Sequence, residues 1–268
     1  MVISLMVGST LLIITLWFFT VFVATTFISQ YIKTRNKPDI AIAFYVMYMA
    51  ISQILAAKIG DFSIGSWQIS APTAVLIFPF TFQITDIVNE FFGQKETHRM
   101  ILIAFISQIL MAFFIWFSIE IPPAANWLLE DAGGNPNSQI FWQSFFGTTI
   151  RITGASWISF LITENLDAII YAKLKKKTGG KHLWIRNVFS DVPTLALDSI
   201  IFVSLAFIGT MPIQVVLSII LGQMLTKWFF GIIDTPFMYL SRGIVSGKVN
   251  ILGNLFKVNE EAEKELPK

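Results

Sequence analysis

Acidic, amide and basic side chains recur at helical spacing inside otherwise apolar runs of this chain. Gln83, Asp86 and Glu90 stand at i, i+3 and i+7, one stripe of a helix, with Asn89 beside them. Asp191, Thr194 and Asp198 repeat that spacing, and Gln223, Lys227 and Asp234 follow i, i+4, i+11. A further run holds Arg151 and then Glu164, Asn165 and Asp167. Arg151 and Asn165 share one helical face, Glu164 and Asp167 the opposite one. An ionisable group at the centre of a bilayer costs about 2.5–3.5 kcal/mol on insertion scales, and normally marks a pathway, a pair or a site. The chemistry on offer is hydrogen bonding and ion pairing to a small polar solute.

The surrounding composition says why such groups are conspicuous. Of 268 residues, 54% are hydrophobic and 13% are charged, against about 25% charged in a soluble domain. That excludes an ordinary cytosolic enzyme, a disordered chain and a basic nucleic-acid binder, and a net charge of +2 gives no reason to expect a polyanionic partner. With no cysteine there is no disulfide, thiolate metal site or cysteine nucleophile. His98 and His182 both sit among basic loop residues. No H-E-x-x-H helix, G-x-S-x-G elbow or phosphate-binding glycine loop is present. Neither an enzyme, nor a cofactor, nor a metal is expected.

The elements that position these groups are membrane spans. Seven stretches reach the roughly 20 apolar residues a crossing requires: Ser9–Ile32, Ile40–Ile59, Ala71–Phe92, Met100–Ile119, Phe145–Ala172, Val188–Gly209 and Ile213–Leu240. The expected fold is an all-α polytopic bundle. Basic residues gather in alternate loops, at Lys33, Arg35 and Lys37, at Lys95 and Arg99, at Lys173 to Arg186, and in the tail at Arg242, Lys248, Lys257 and Lys264. This bias puts the N-terminus outside and the C-terminus in the cytoplasm of a cell membrane. The loop 120–140 is read as a solvated turn with a short interfacial helix at Trp127–Leu129 as the alternative, and 259–268 as a frayed charged tail.

Thr210–Pro212 closes a tight hairpin between the last two spans. Asp198 and Lys227 then fall within about one helical turn of each other in depth, so an ion pair between them is expected. Arg151, near an outer helix end, has room to snorkel. Phe80, Phe82, Trp157, Trp228 and Phe229 adjoin the polar stripes and could stack on a planar ligand. The candidate site is Phe82, Gln83, Asp86, Asn89, Glu90, Arg151, Glu164, Asn165, Asp167, Asp198 and Lys227. Glu90 and Asn89 are equally placed for the cytoplasmic interface.

Phe78-Pro79-Phe80-Thr81-Phe82, Thr85-Asp86, Phe92-Gly93 and Arg99 together resemble the hallmark of the YhhQ family of queuosine precursor transporters, also described as vitamin uptake transporters. Arg151 with its small neighbours, Leu166-Asp167, Asp198 with Ile201-Phe202 and Ala206-Phe207, and Lys227 before Pro236 extend the likeness over Ile40–Leu240. Glu164 stands where relatives often carry Gln, and Asn89-Glu90 departs from some of them. The resemblance implies a six-helix core at 39–245, an added helix and loop at 1–38 and a cytoplasmic tail at 246–268. It implies import of 7-cyano-7-deazaguanine or 7-aminomethyl-7-deazaguanine for tRNA modification. Asp86 or Glu164 would read the amidine edge, Gln83 and Asn165 would add amide bonds, and Asp198–Lys227 would gate the cavity.

Two rival readings remain open at this stage. A substrate-binding subunit of an energy-coupling-factor transporter has similar size and would need an ATPase partner. A retinal protein would use Lys227 in the last helix, but the third span lacks the Arg and Asp-Trp pattern that reading requires. The partners expected are a small-molecule nucleobase and the lipid bilayer. Homo-oligomerisation and the energy source are left open.

Overall fold

In the computed structural model, which describes residues 2–64, 67–124, 127, 138–147 and 149–253, seven segments are long and apolar enough to cross a membrane. The order is α1 (Val2–Arg35), α2 (Asp39–Ala56), β1 (Ile59–Ile64), β2 (Trp67–Pro72), a 3-10 turn (Thr73–Leu76), α3 (Phe78–Phe91), α4 (Gln94–Glu120), α5 (Ser138–Gly147), α6 (Thr149–Lys177), α7 (Leu183–Phe207), α8 (Ile213–Ile233) and α9 (Thr235–Val245). The protein is a polytopic helical bundle carrying one two-stranded antiparallel hairpin, with Ile59 opposite Pro72 and Ile64 opposite Trp67.

That hairpin corrects the expected third span. Ala71–Phe92 is not one helix: Pro72 is extended, at φ −56° and ψ 136°, and the α-helix begins only at Phe78, with Pro79 in its first turn. An apolar strand and an apolar helical turn have the same hydropathy, so the run read as continuous. The Thr73 amide donates to Lys58 O at 2.8 Å, and its hydroxyl to Leu55 O at 2.8 Å, tying the hairpin to the end of α2. The seventh span is also broken. α8 stops at Ile233 and α9 starts at Thr235, with Asp234 at the joint. Pro236 lacks an N–H and crowds the carbonyl four residues back, which ends α8 there. The fifth span runs through α5 and α6, with residue 148 outside the described residues. Trp127 is not helical; the rest of the proposed interfacial turn and the tail 259–268 lie outside the described residues.

The short α3 is the axis of the bundle. Every residue from Pro79 to Asn89 is buried, against α2, α4, α6, α8 and α9. By contrast, α4 shows Leu102, Ile106, Leu110, Phe113, Phe114 and Phe117 on its surface, an apolar face suited to lipid tails. The helix α1 is bound into the bundle by polar contacts: Trp17 Nε1 donates to Leu76 O at 2.7 Å, Thr25 Oγ1 to Gln83 Oε1 at 3.2 Å, and Ser29 Oγ to Ser241 Oγ at 2.7 Å.

Candidate functional site

Four polar layers follow one another along α3 and α6. On α6, Ser156, Ser159, Thr163 and Asp167 recur at i, i+3, i+7, i+11, a single stripe. At its first step, Ser156 Oγ accepts from Gln53 Nε2 at 2.7 Å. One turn on, Ser159 Oγ donates to Asp198 Oδ1 at 2.6 Å. Asp198 forms the expected ion pair with Lys227, and both are buried. The Lys227 ammonium also lies 4.0 Å from the centre of the Phe78 ring, a cation–π contact with water excluded.

The next layer belongs to Glu164, which is 1% exposed. Its two oxygens accept from Thr81 at 3.2 Å and Thr85 at 2.9 Å. Both threonines sit on the same side of α3 as Phe78, the partner of Lys227.

A cluster of carboxylates lies beyond. One oxygen from each of Asp86, Asp167 and Asp191 falls within 4.8 Å of the others, and Asp234 stands within electrostatic reach of Asp86 and Asp191. All four are buried. Asn187 Nδ2 donates to Asp86 Oδ2 at 2.8 Å and to Asp191 Oδ2 at 3.2 Å. Its carbonyl accepts from Thr235 at 2.7 Å. Thr194 donates to Asp167 Oδ1 at 3.3 Å. Asp86 Oδ1, Asp167 Oδ2 and both oxygens of Asp234 have no hydrogen-bond partner. Among the described residues no Lys or Arg pairs with any of the four; Lys227 is engaged by Asp198 and Arg186 by Glu90. Three carboxylate oxygens at this separation are also hard ligands of a kind that suits a cation, an arrangement the sequence reading did not anticipate.

In the last layer the carboxylate is met by cations. Arg186 Nη2 meets Glu90 Oε1 at 2.7 Å and its Nε meets Oε2 at 3.1 Å, a bidentate pair. Tyr171 donates to Glu90 Oε2 at 3.2 Å, and Lys175 lies 3.4 Å from the same oxygen. Asn89 Nδ2 donates to Ala168 O at 2.8 Å.

The structure thus brings Asp86, Glu164, Asp167, Asp198 and Lys227 onto one polar chain, with Asn89 and Glu90 at its end. Gln83 and Phe82 are buried on α3, and Gln83 keeps an unpartnered Nε2. Arg151 and Asn165 are elsewhere, on the opposite face of α6. Arg151 donates to Leu205 O and Ile208 O and closes the carbonyl end of α7. Asn165 is spent on Leu161 O at 2.8 Å and on the His98 ring at 2.6 Å. His98 and Arg186, read as loop residues, are therefore corrected: one lies in α4, the other is buried in α7. Asn187 and Ser190, whose hydroxyl donates to Asp191 Oδ1 at 3.3 Å, were missed as well. The sixth span was drawn from Val188, where the apolar run begins, although stepping the Asp191–Asp198 stripe back one turn reaches Asn187. Among the aromatics, Phe80 packs on Trp17 and Tyr48, at 5.7 and 5.2 Å between ring centres. Trp228 is tied to Val192 O at 2.8 Å.

A buried polar chain inside a bundle of seven apolar crossings is the architecture of a polytopic membrane transporter. A family described as "Putative vitamin uptake transporter" matches residues 72–241, and the chain belongs to it. A "Probable queuosine precursor transporter" of Bacillus subtilis (strain 168) is 24% identical over 178 residues, 66% of this chain and 74% of that one. No solved structure matches.

Proposed function

We propose that the chain imports a queuosine precursor, a 7-deazaguanine base, through the carboxylate layer between α3, α6, α7 and α9. The observation that carries this reading is the group of free buried oxygens on Asp86, Asp167 and Asp234. A carboxylate accepts two parallel hydrogen bonds from an amidine edge such as that of guanine. Unpaired buried acceptors are costly, so a ligand that donates to them gains their pairing. Four carboxylates without a cationic side chain favour the 7-aminomethyl base over the 7-cyano base, since its ammonium supplies the missing charge. The similar Bacillus protein, named for a queuosine precursor, supports the same substrate class.

In this reading Asp86 and Asp234 hold the base, Glu164 and Gln83 add hydrogen bonds, and Asn165, whose amide is already engaged, takes no part. Asp198–Lys227 gates one side of the layer, and Glu90–Arg186 pins the helices on the other. With the N-terminus outside, the Glu90–Arg186 end is cytoplasmic. Residues 39–245 form the transporting core and 1–38 an addition to it. Purified protein in liposomes is expected to take up labelled 7-aminomethyl-7-deazaguanine saturably and alone. Uptake that requires added ATPase subunits would replace this with the binding-subunit reading, and no uptake of any deazaguanine in either format would remove it.

A further inference from the structure

Three spanning helices each send one carboxylate to the same place. Asp86 comes from α3, Asp167 from α6 and Asp191 from α7, and one oxygen of each lies within 4.8 Å of the other two. Neutral donors fix how these groups are turned. Asn187 Nδ2 holds an oxygen of both Asp86 and Asp191, Ser190 donates to Asp191 Oδ1, and Thr194 donates to Asp167 Oδ1. Asp86 Oδ1 and Asp167 Oδ2 are left buried without a partner. Hydrogen bonds that orient a carboxylate while leaving an oxygen free are what outer-shell residues supply at a metal centre. An independent observation comes from the joint between α8 and α9. Asp234 is 1% exposed there, neither of its oxygens has a partner, and its charge acts on Asp86, Asp167 and Asp191. Breaks in spanning helices are where transporters commonly coordinate ions.

The donor set selects the ion. Oxygen ligands alone, with no His or Cys among them, suit calcium, magnesium or manganese rather than zinc. The free oxygens are closed to water, whereas Mg²⁺ usually keeps several of its waters. Ca²⁺ takes carboxylates directly, through one oxygen or two, at about 2.3–2.6 Å. A hydrogen-bonded water would stand at about 2.8 Å, so a space too tight for water still admits that ion. A monovalent ion would leave most of the buried charge unbalanced. We infer that Asp86, Asp167 and Asp191 form a binding site for a calcium-type divalent cation, with Asp234 adding to its charge balance. The ion and the ammonium of a 7-aminomethyl base need the same oxygens, so each excludes the other and entry of the base releases the ion. That exclusion rests on the function proposed above; the cation site itself does not.

The test is equilibrium dialysis of detergent-solubilised full-length protein against labelled Ca²⁺, with thermal unfolding measured in parallel. Saturable binding of one ion per chain is expected, and it should raise the melting temperature by mass action. Asp167→Asn and Asp191→Asn should each weaken binding about tenfold or more, while their melting temperatures in chelator show that they are folded. Glu120→Gln, an exposed carboxylate at the end of α4, should leave binding unchanged. Wild-type protein that binds no Ca²⁺, or affinity unchanged in both cluster variants, would overturn the site. Mg²⁺ bound as tightly as Ca²⁺ would overturn the choice of ion. A competition separates this inference from the transport reading. Saturating 7-aminomethyl-7-deazaguanine should raise the apparent Kd for Ca²⁺ about tenfold or more, and a base that binds without moving that Kd removes the exclusion. Wild-type protein that binds Ca²⁺ but imports no deazaguanine would end the transport reading and leave the cation site standing.

Discussion

Asp86 and Glu90 stand one turn apart on α3, yet their surroundings are opposite. Glu90 is gripped by Arg186, Tyr171 and Lys175. Asp86 faces Asp167 and Asp191, Asp234 is within electrostatic reach, and one oxygen of Asp86 is free. The first region is self-sufficient: each charge is paired inside the protein, so it can hold α3, α6 and α7 together without a ligand. The second is incomplete as the chain alone supplies it. Stability and function are thereby divided over a single turn of helix, and substitutions on the two sides should separate them.

The largest effect is expected at Arg186. Its side chain is 0% exposed and carries the bidentate bond to Glu90. Breaking a buried pair costs about 3–5 kcal/mol, and Tyr171 and Lys175, which remain on Glu90, offset only part of it. Arg186→Ala should give little folded protein after solubilisation, and Glu90→Gln combined with Arg186→Gln should recover much of the yield and melting temperature. A stable Arg186→Ala protein would break the contrast at its balanced end.

Asp86→Asn is expected to behave in the opposite way. It relieves repulsion among buried carboxylates, so the melting temperature should hold or rise. It also takes charge from the proposed ligand site, and uptake should fall at least tenfold; a hydrogen bond to a charged group is worth about 1.5–3 kcal/mol. Normal uptake by this variant would leave Asp86 a packing residue.

The balanced and unbalanced regions were unequally legible in the sequence. The stripes of Asp86, Asp198 and Lys227 follow from spacing alone, because a helix repeats every 3.6 residues whatever surrounds it. The Asp198–Lys227 pair followed from depths within about one helical turn of each other, measured from one tight hairpin. Arg186 did not, because a basic residue just before an apolar run looks like a loop charge until the helix is known to begin at Leu183. The hairpin before α3 was hidden for a related reason: hydropathy counts apolar residues and is blind to whether they are wound or extended. Which face of α6 turns inward was also beyond the sequence, since Arg151–Asn165 and Glu164–Asp167 are equally polar. Only the neighbours decide, with His98 claiming Asn165 and the end of α7 claiming Arg151.

Asp198–Lys227 is an intermediate case. It is paired and buried like Glu90–Arg186, yet it touches the Glu164 layer through Phe78, Thr81 and the α6 stripe. Exchanging the charges, Asp198→Lys with Lys227→Asp, keeps the sum but displaces the ammonium from Phe78 and the carboxylate from Ser159. Folded yield should stay within about twofold of wild type, because the net charge of the pair is unchanged, while uptake should drop several-fold. Uptake at the wild-type rate would assign the pair to helix pinning alone. A smaller difference is expected between substrates: the 7-aminomethyl base should bind about tenfold more tightly than the 7-cyano base, roughly 1.4 kcal/mol. Asp234→Asn should narrow that ratio. Equal affinities in the wild type would mean that the carboxylates do not read the ammonium.

The smallest effect tests whether burial, rather than distance, makes the balanced region what it is. Arg99 and Glu96 approach to 2.8 Å, nearly the 2.7 Å of Arg186 and Glu90. Arg99, however, is 65% exposed at the start of α4. Water screens that pair and replaces either partner when it is lost, so such bridges contribute about 0–1 kcal/mol. Arg99→Ala should leave the melting temperature of the solubilised protein within a degree or two. If it instead destabilised the protein as strongly as Arg186→Ala, contact geometry would outweigh desolvation in this bundle. The division between a self-paired end and a ligand-completed cluster would then lose its physical basis.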